Sequence, residues 1–309
     1  MFSGYAELQT YNRIMAGKIQ IPETLKAELP PNKWGKILGA TPIVMTVLAT
    51  MLAGLASSEM TKAQYDRALA AQLQSKAGDQ WGYFQAKKLR SALAHNSLEL
   101  LQATTGVRFM ESEDLQKQNP VVFRALFAGQ LPDPKLPQFD NSVTAALATL
   151  TGSQSETEIL GVLANTSNRA LAEALIAARQ RVMDFDAAIK PVSQSLDALE
   201  NTATSSGGEK LRSFNATRFR FQAACYDAES RLNQTIANIY ELQVRKGNVS
   251  AEKHHARSGK FFFGMLAAQM AVIISTFAIA ARQKNLLWSV AAIAGVAAVS
   301  FSLYVYLCV

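Results

Sequence analysis

The sequence has few of the residues from which metal sites and disulfide frameworks are built. Its 309 residues include only two cysteines and three histidines, with no Cys-x-x-Cys or His-x-x-x-His spacing. Cys225 and Cys308 fall on separate segments, which gives neither a disulfide framework nor a zinc-ligand spacing. His254 and His255 are adjacent, and neighbours on a helix point about 100° apart, so they chelate one metal poorly. We therefore expect no metal and no cofactor.

Motifs for nucleotide chemistry are also missing. No glycine spacing matches a phosphate loop or a dinucleotide fingerprint, and the pair Gly207–Gly208 is typical of a flexible turn. The formal net charge of +7 accompanies no recognised nucleic-acid motif. One helical segment carries several carboxylates, which we interpret as a solvated face: Asp184, Asp186, Asp197 and Glu200. We expect a protein that is not an enzyme and does not bind nucleic acid.

Three long runs contain no charged side chain. They occupy residues 37–56, 261–281 and 286–309, and the turn 282–285 separates the last two. A helix needs about 20 apolar residues to cross a bilayer core of about 30 Å, so each run is long enough. A signal peptide is disfavoured for the first run because 36 residues precede it, which is too long for the start of such a peptide. A buried core helix is disfavoured because the chain has two further uncharged runs of similar length. We predict an all-α membrane protein with three transmembrane helices.

The absence of charge within these runs also bears on function. Transporters and pumps usually place ionisable groups near the middle of the membrane, so transport by a monomer is disfavoured. Small residues recur in the last run, as in AAIAGVAA at residues 291–298. Such faces allow helices to approach closely. Helix packing, within or between subunits, is the interpretation we favour.

The runs leave an N-terminal arm, residues 1–36, and a large domain, residues 57–260. The domain opens with a helical segment, which either starts at a cap, Ser58 or Thr61, or continues directly from the first run. Residues 104–165 contain four prolines and look like an irregular insertion. Short helices are expected there at 112–119, 121–129 and 141–150.

Two heptad patterns fill the rest of the domain. Apolar residues alternate spacings of three and four from Leu171 to Leu199, and again from Leu211 to Leu242. The segment 201–208 is a turn by composition, and Pro191 should bend the first helix. Two such helices joined by a short turn should form an antiparallel hairpin or coiled coil.

The second heptad helix is expected to be very long. No proline follows Pro191, and Gly247 and Gly259 are the only plausible breaks before the second run. A continuous helix from Glu209 into that run would be on the order of 100 Å long at 1.5 Å per residue. The domain would then be a stalk coupled to the membrane.

Arg218 occupies a seam position in the second heptad pattern. A charge there lowers stability and can set register or oligomeric state. Candidate partners are Asp184 or Asp186 on the facing helix, and Asp227 or Glu229 across an oligomer. We predict a register-setting role for Arg218.

The segment DQWGYFQAKKLR, residues 79–90, carries a family resemblance. It resembles the pattern D-Q-W-x-Y-Y/F-Q-A-K-x-x-K of the DUF4337 proteins, an uncharacterised bacterial membrane family. The resemblance implies a bacterial inner membrane location and no particular activity. The chain departs from the pattern at Gly82 and in the apparent insertion. On a helix these side chains suit a helix junction or a partner contact, with a ligand site as the alternative: Gln80, Trp81, Tyr83, Phe84, Gln85 and Lys88.

Basic residues flank the three runs, where attraction to anionic lipid headgroups is expected: Lys33, Lys36, Lys253, Arg257, Lys260, Arg282 and Lys284. The arm and the turn share one side of the membrane if all three runs span it. When the basic residues of short segments are given the most weight, the arm and the turn are expected on the cytoplasmic side and the stalk in the periplasm.

The sequence therefore favours a non-enzymatic membrane-anchored scaffold that self-associates or binds a membrane protein partner. An accessory or regulatory subunit of a larger membrane complex, docked through residues 104–165, is the alternative. An oligomeric channel is a third possibility.

Overall fold

The computed structural model describes residues 33–109, 119–132, 138–152, 154–205, 207–280 and 284–308. These residues form helices joined by short irregular segments, and none of them lies in a strand. The helices are α1 (Lys33–Thr105), α2 (Pro120–Phe127), α3 (Asn141–Thr151), α4 (Glu156–Ala164), α5 (Asn168–Ser205), α6 (Gly208–Ala280) and α7 (Lys284–Cys308). The prediction of an all-α protein is confirmed for the described part of the chain.

The described chain divides into two compact units. Unit 1 contains the described residues up to Ala63 and those from Lys253 onward, whereas unit 2 is Gln64–Glu252. The 73-residue helices α1 and α6 each contribute to both units. Each unit is described separately below.

Helix α1 resolves an alternative that the sequence left open. It continues from the first uncharged run to Thr105 without a break, so neither Ser58 nor Thr61 begins a new helix. Pro42 lies inside α1, and the Thr46 hydroxyl donates to the Pro42 carbonyl oxygen at 2.8 Å. The apolar run and the signature segment thus belong to one helix.

Unit 2 is built on the antiparallel pair α5 and α6. Arg179 donates a hydrogen bond to the Tyr240 hydroxyl, and Arg218 donates to Glu200 at 2.7 Å, so residue numbers rise on one helix as they fall on the other. The predicted seam is largely buried, which confirms the hairpin: Leu171, Ala178, Phe185, Ile189, Val192, Leu196, Phe214, Phe221, Cys225, Ile239 and Leu242.

The connection between α5 and α6 is shorter than the sequence suggested. Helix α5 extends to Ser205, so most of the predicted turn 201–208 is helical. Gly207 has φ +103°, which an L side chain rarely adopts. Helix α6 then runs to Ala280, and neither Gly247 nor Gly259 interrupts it. The prediction of one continuous helix through these glycines is confirmed.

Helix α1 lies antiparallel to α6 within unit 2. A Cβ built on Gly247 would lie 3.3 Å from the Ala70 Cβ, and the Ser91 hydroxyl donates to the Ala223 carbonyl at 3.0 Å. Ala77 is buried in the same cluster as Ile239 and Tyr240. The core of unit 2 therefore lies among three long helical segments.

The short helices α2, α3 and α4 cover this core. Two of the predicted short helices, 121–129 and 141–150, correspond closely to α2 and α3, whereas 112–119 lies outside the described residues. Helix α4 was not predicted, although Ser155 and Glu158 form a capping box at its start. Buried residues from all three helices join the two core clusters of unit 2, among them Val122, Leu126, Val143, Ile159 and Leu163. The apparent insertion is thus part of the core.

Unit 1 buries mainly small side chains, with Leu52 and Phe261 as large exceptions, and leaves many large apolar side chains exposed. Ala49, Ala268 and Ala298 form one buried cluster, in which α1, α6 and α7 meet. Gly295 also faces a neighbour, since a Cβ on it would collide with the Met45 side chain. The exposed side chains include Ile43, Val47, Met51, Phe263, Met270, Phe277, Ile293 and Val296.

Among the described residues, two helices are long and apolar enough to cross a membrane, judged by length and composition. They are Gly39–Thr105 and Gly208–Ile279, and their apolar windows are only 17% and 28% buried. The apolar helix Leu286–Phe301 is shorter. Length and composition thus support two of the three predicted spans.

Candidate functional site

The two lysines of the signature segment contact α6. Lys88 forms an ion pair with Asp227 at 2.9 Å, and Lys87 forms one with Glu229. The Lys87 ammonium also lies 5.4 Å from the centroid of the Tyr226 ring. This part of the signature joins α1 to α6 through charged and aromatic side chains.

The other signature residues are divided between the interior and the surface. Trp81 and Phe84 are half-buried and meet edge to face at 5.4 Å between ring centroids. Gln80 is half-buried, and its amide oxygen has no hydrogen-bond partner within the described chain. Tyr83 is 58% exposed and Gln85 is also exposed. The surface residues remain candidates for a partner contact.

A cavity of about 470 Å³ opens in unit 2 beside this junction. Four elements line it: α1, the segment after α2, α5 and α6. We call it the arginine pocket because three arginines share its wall with apolar side chains: Arg181, Arg220, Arg231, His95, Leu131, Pro132, Phe185, Ala224, Asp227, Ala228 and Leu232.

Arg220 is held at the end of α2. Its guanidinium donates to the Leu126 carbonyl oxygen at 3.1 Å and to that of Phe127, and it lies 3.8 Å from the centroid of the Phe109 ring. These carbonyls belong to the last turn of α2, where a cation is favourable. Burial lowers the pKa of Arg220, whose Nε atom has no hydrogen-bond partner within the described chain. The arginine is thus positioned without a carboxylate contact among the residues described.

Asp227 is the carboxylate that lines the arginine pocket. Lys88 donates to its Oδ1 atom and Arg231 donates to its Oδ2 atom. These contacts, that of Lys88 first, lower the pKa of Asp227 below its ordinary value despite the opposing effect of burial. Both carboxylate oxygens are already paired, so Asp227 does not act as the counter-ion of Arg220.

Nucleophilic chemistry is disfavoured at Cys225. Cys225 is buried, and its burial, with the charge of Glu229, raises its pKa to about 12. A protonated thiol is a poor nucleophile and a poor metal ligand. Within the described residues, no group of three His, Cys, Asp or Glu side chains could hold a metal ion.

A second polar cluster lies in unit 1. His254 contacts Glu59 at 2.6 Å, Lys62 contacts the other oxygen of Glu59 at 2.7 Å, and the Ser258 hydroxyl donates to the Ala56 carbonyl oxygen at 2.7 Å. Glu59 is 9% exposed. From the sequence, His254 was considered only as a metal ligand and was not paired with Glu59. The available signal was position, because Glu59 follows the first uncharged run by three residues and His254 precedes the second by seven.

Arg218 has a different partner from those considered. It pairs with Glu200 at 2.7 Å, and both side chains are about two-fifths exposed. Asp184 instead accepts a hydrogen bond from Gln180, while Asp227 and Glu229 pair with the signature lysines. The register-setting role of Arg218 remains a prediction.

The expected headgroup contacts are described only in part. Lys36 and Lys253 are exposed, whereas Arg257 and Lys260 are half-buried. Arg282 lies outside the described residues, as do the side chains of Lys33 and Lys284. Contact with lipid remains a prediction for all of them.

The comparisons with known proteins confirm the family resemblance. The family model described as "Domain of unknown function (DUF4337)" matches residues 34–121. The match covers the first uncharged run, the signature segment and the start of α2, and it does not reach α5 or α6. No curated protein and no solved structure matches the chain.

Proposed function

We propose that this protein is a non-enzymatic scaffold of the bacterial inner membrane. Three helical spans anchor a stalk formed by the antiparallel helices of unit 2. The stalk associates with a second copy of the chain, and we place it on the periplasmic side. Membrane lipids contact the basic residues that flank the spans.

The inverted packing of unit 1 supports the membrane anchor. Small side chains such as Ala268 and Ala298 are fully buried, whereas Phe263 and Ile293 are more than 60% exposed. Large apolar side chains on the outside of a three-helix cluster are unfavourable in water and favourable in lipid. Close contacts between small residues are typical of helix pairs in membranes.

An exposed apolar stripe on α1 supports self-association. Within unit 2, Tyr65, Leu93 and Leu100 are separated by multiples of seven residues and are all more than half exposed. Leu69 and Tyr83, fourteen residues apart, are also exposed and lie four positions later in the same repeat. A heptad stripe that faces solvent in one chain is typical of a helix that packs on another chain.

The mass of the purified protein in mild detergent tests this proposal. We expect an oligomer by light scattering that Leu93→Glu together with Leu100→Glu converts to a monomer. Ile176→Glu provides the matched control, because Ile176 is equally exposed but lies on α5. A monomer for the unaltered chain, with no copurifying protein, would overturn the proposal.

Proteins that copurify with the chain test the alternative of an accessory role in a larger membrane complex. Val121 on α2 is 45% exposed although its neighbour Val122 is buried, which marks a possible docking point in the region 104–165. A stoichiometric second protein that is lost in Val121→Glu would favour this alternative. Deletion of the region is a poor test, since it removes core residues of unit 2.

A further inference from the structure

The wall of the arginine pocket has two properties that suggest a bound molecule: an excess of cationic groups and a mainly apolar lining. Three guanidinium groups share its wall with one carboxylate, and that carboxylate is already paired with Lys88 and Arg231. The rest of the wall is mainly apolar and comes from four different elements. Cationic and apolar side chains arranged in this way complement a molecule with an anionic head and an apolar body.

Arg220 provides the strongest indication of an anionic occupant. Its partners among the described residues are two carbonyl oxygens and an aromatic ring. Carbonyls and rings stabilise a guanidinium but do not neutralise it, and a partly buried charge without a counter-ion is costly. A phosphate or carboxylate in the cavity would supply that counter-charge.

We propose that the arginine pocket binds a small amphipathic anion. Arg220 holds its phosphate or carboxylate head, and its apolar body lies against Leu131, Phe185 and Leu232. The volume of about 470 Å³ falls within the range usual for small-molecule sites. All the lining residues belong to unit 2.

Acidic residues of the chain itself are the competing occupants. Glu111, Glu113 and Asp114 follow Phe109 closely in the sequence and lie outside the described residues. The variant Glu111→Gln/Glu113→Gln/Asp114→Asn removes these carboxylates while keeping their size. It therefore separates an external ligand from a counter-ion supplied by this acidic segment.

The experiment is calorimetric titration of the full chain in phosphatidylcholine nanodiscs. Hexyl phosphate is the probe, with inorganic phosphate and hexanol as its separated head and tail. We expect hexyl phosphate to saturate one site per chain. Inorganic phosphate should bind at least tenfold more weakly, because it buries no apolar surface, and hexanol should not saturate.

Two variants test the location of the site. Arg220→Gln should weaken binding of hexyl phosphate at least tenfold, and Arg212→Gln, an exposed arginine on the same helix, should leave it unchanged. Because Arg220 also holds α2, Ala224→Leu provides a second variant that retains every charge and fills the cavity. It too should weaken binding at least tenfold while the chain keeps its helical circular dichroism.

The outcomes are distinct. Unchanged binding in Ala224→Leu, or binding that appears only after the three acidic residues are neutralised, would overturn the proposal. Equal binding of inorganic phosphate would show that the site does not recognise an apolar body.

Repeating the titration in nanodiscs that contain phosphatidylglycerol distinguishes the source of a confirmed ligand. Competition indicates a lipid headgroup, and its absence indicates a soluble anion.

Discussion

At the scale of single residues, Glu59 shows how a charge is accommodated beside an apolar run. Although burial raises its pKa, hydrogen bonds from Lys62 and His254, and their charges, lower it overall. The folded state therefore favours the ionised carboxylate more than the unfolded chain does. Its contribution to stability is complete above the ordinary pKa of 4.5 and is lost as the pH falls through the lower folded value.

The pH dependence of unfolding checks this pairing. At pH 7, Glu59→Gln should lower the free energy of unfolding by about 1–3 kcal/mol, because it removes a buried charged hydrogen-bond acceptor. The difference from the unaltered chain should shrink below about pH 4.5. Thermal melts in detergent between about pH 3 and pH 8 measure this difference on both sides of the usual carboxylate pKa. Glu173→Gln, in an exposed pair with Arg169, is the control and should change little. A difference that is independent of pH would contradict the assignment.

Arg218 tests whether a seam charge sets register. Its ion pair with Glu200 is partly exposed and contributes less than about 1 kcal/mol. Arg218→Leu should therefore preserve stability, because Leu fits between Phe214 and Phe221, but it should produce more than one oligomeric species. Light scattering measures the species, and the exchange Arg218→Glu/Glu200→Arg should retain a single one. One species in Arg218→Leu would contradict the register hypothesis.

The sequence located several of these residues but not their partners. The signature segment singled out Lys88, and the heptad pattern singled out Arg218. Their partners, Asp227 and Glu200, depend on how two helices are aligned, which periodicity leaves open by whole turns. The arginine pocket was not predicted for the same reason, since its lining comes from four elements distant in sequence.

At the scale of elements, the glycines of α1 and α6 have different environments. Gly247 lies where the helices approach, and an added Cβ would be 3.3 Å from the Ala70 Cβ and 3.6 Å from the Asp66 carbonyl oxygen. Gly78 on α1 has nothing within 4 Å of the same position. The two glycines have similar helix propensity and differ in packing.

Alanine substitution at these two glycines gives a matched comparison. Gly78→Ala should stabilise the protein by about 1 kcal/mol through helix propensity alone. Gly247→Ala should gain less, since its methyl group pushes against Ala70, and Gly247→Val should be destabilising. Denaturant unfolding monitored by circular dichroism measures these differences. Equal gains at the two sites would contradict the close approach of α1 and α6.

At the scale of the whole molecule, the two units differ in the size of the side chains that they bury. Unit 2 buries large side chains such as Phe214 and Tyr240, as a water-exposed domain does. Unit 1 buries mainly alanines, besides Leu52 and Phe261, and exposes many large apolar side chains. This difference follows from the solvent that each unit is proposed to meet.

Cysteine labelling tests the proposed membrane topology. In a background of Cys225→Ala and Cys308→Ala, single cysteines at Tyr83 and Lys26 should lie on opposite sides of the membrane if 37–56 spans it. In intact cells with a permeable outer membrane, an impermeant maleimide should label Tyr83→Cys and should label Lys26→Cys only after lysis. Labelling of both positions in intact cells would contradict the three-span arrangement. Labelling of Lys26→Cys alone in intact cells would place the stalk on the cytoplasmic side instead.

The sequence by itself determined the helical class, the heptad pairing of α5 with α6 and the continuity of α6. These follow from local periodicity, from the lack of proline after Pro191 and from long uncharged runs. Only the tertiary structure decided that α1 continues unbroken from its apolar run and that residues 104–165 join the core of unit 2. It alone brought His254 to Glu59, and three arginines to one cavity. Such contacts depend on how separate helices align, and the free energy that fixes this alignment comes from packing between them.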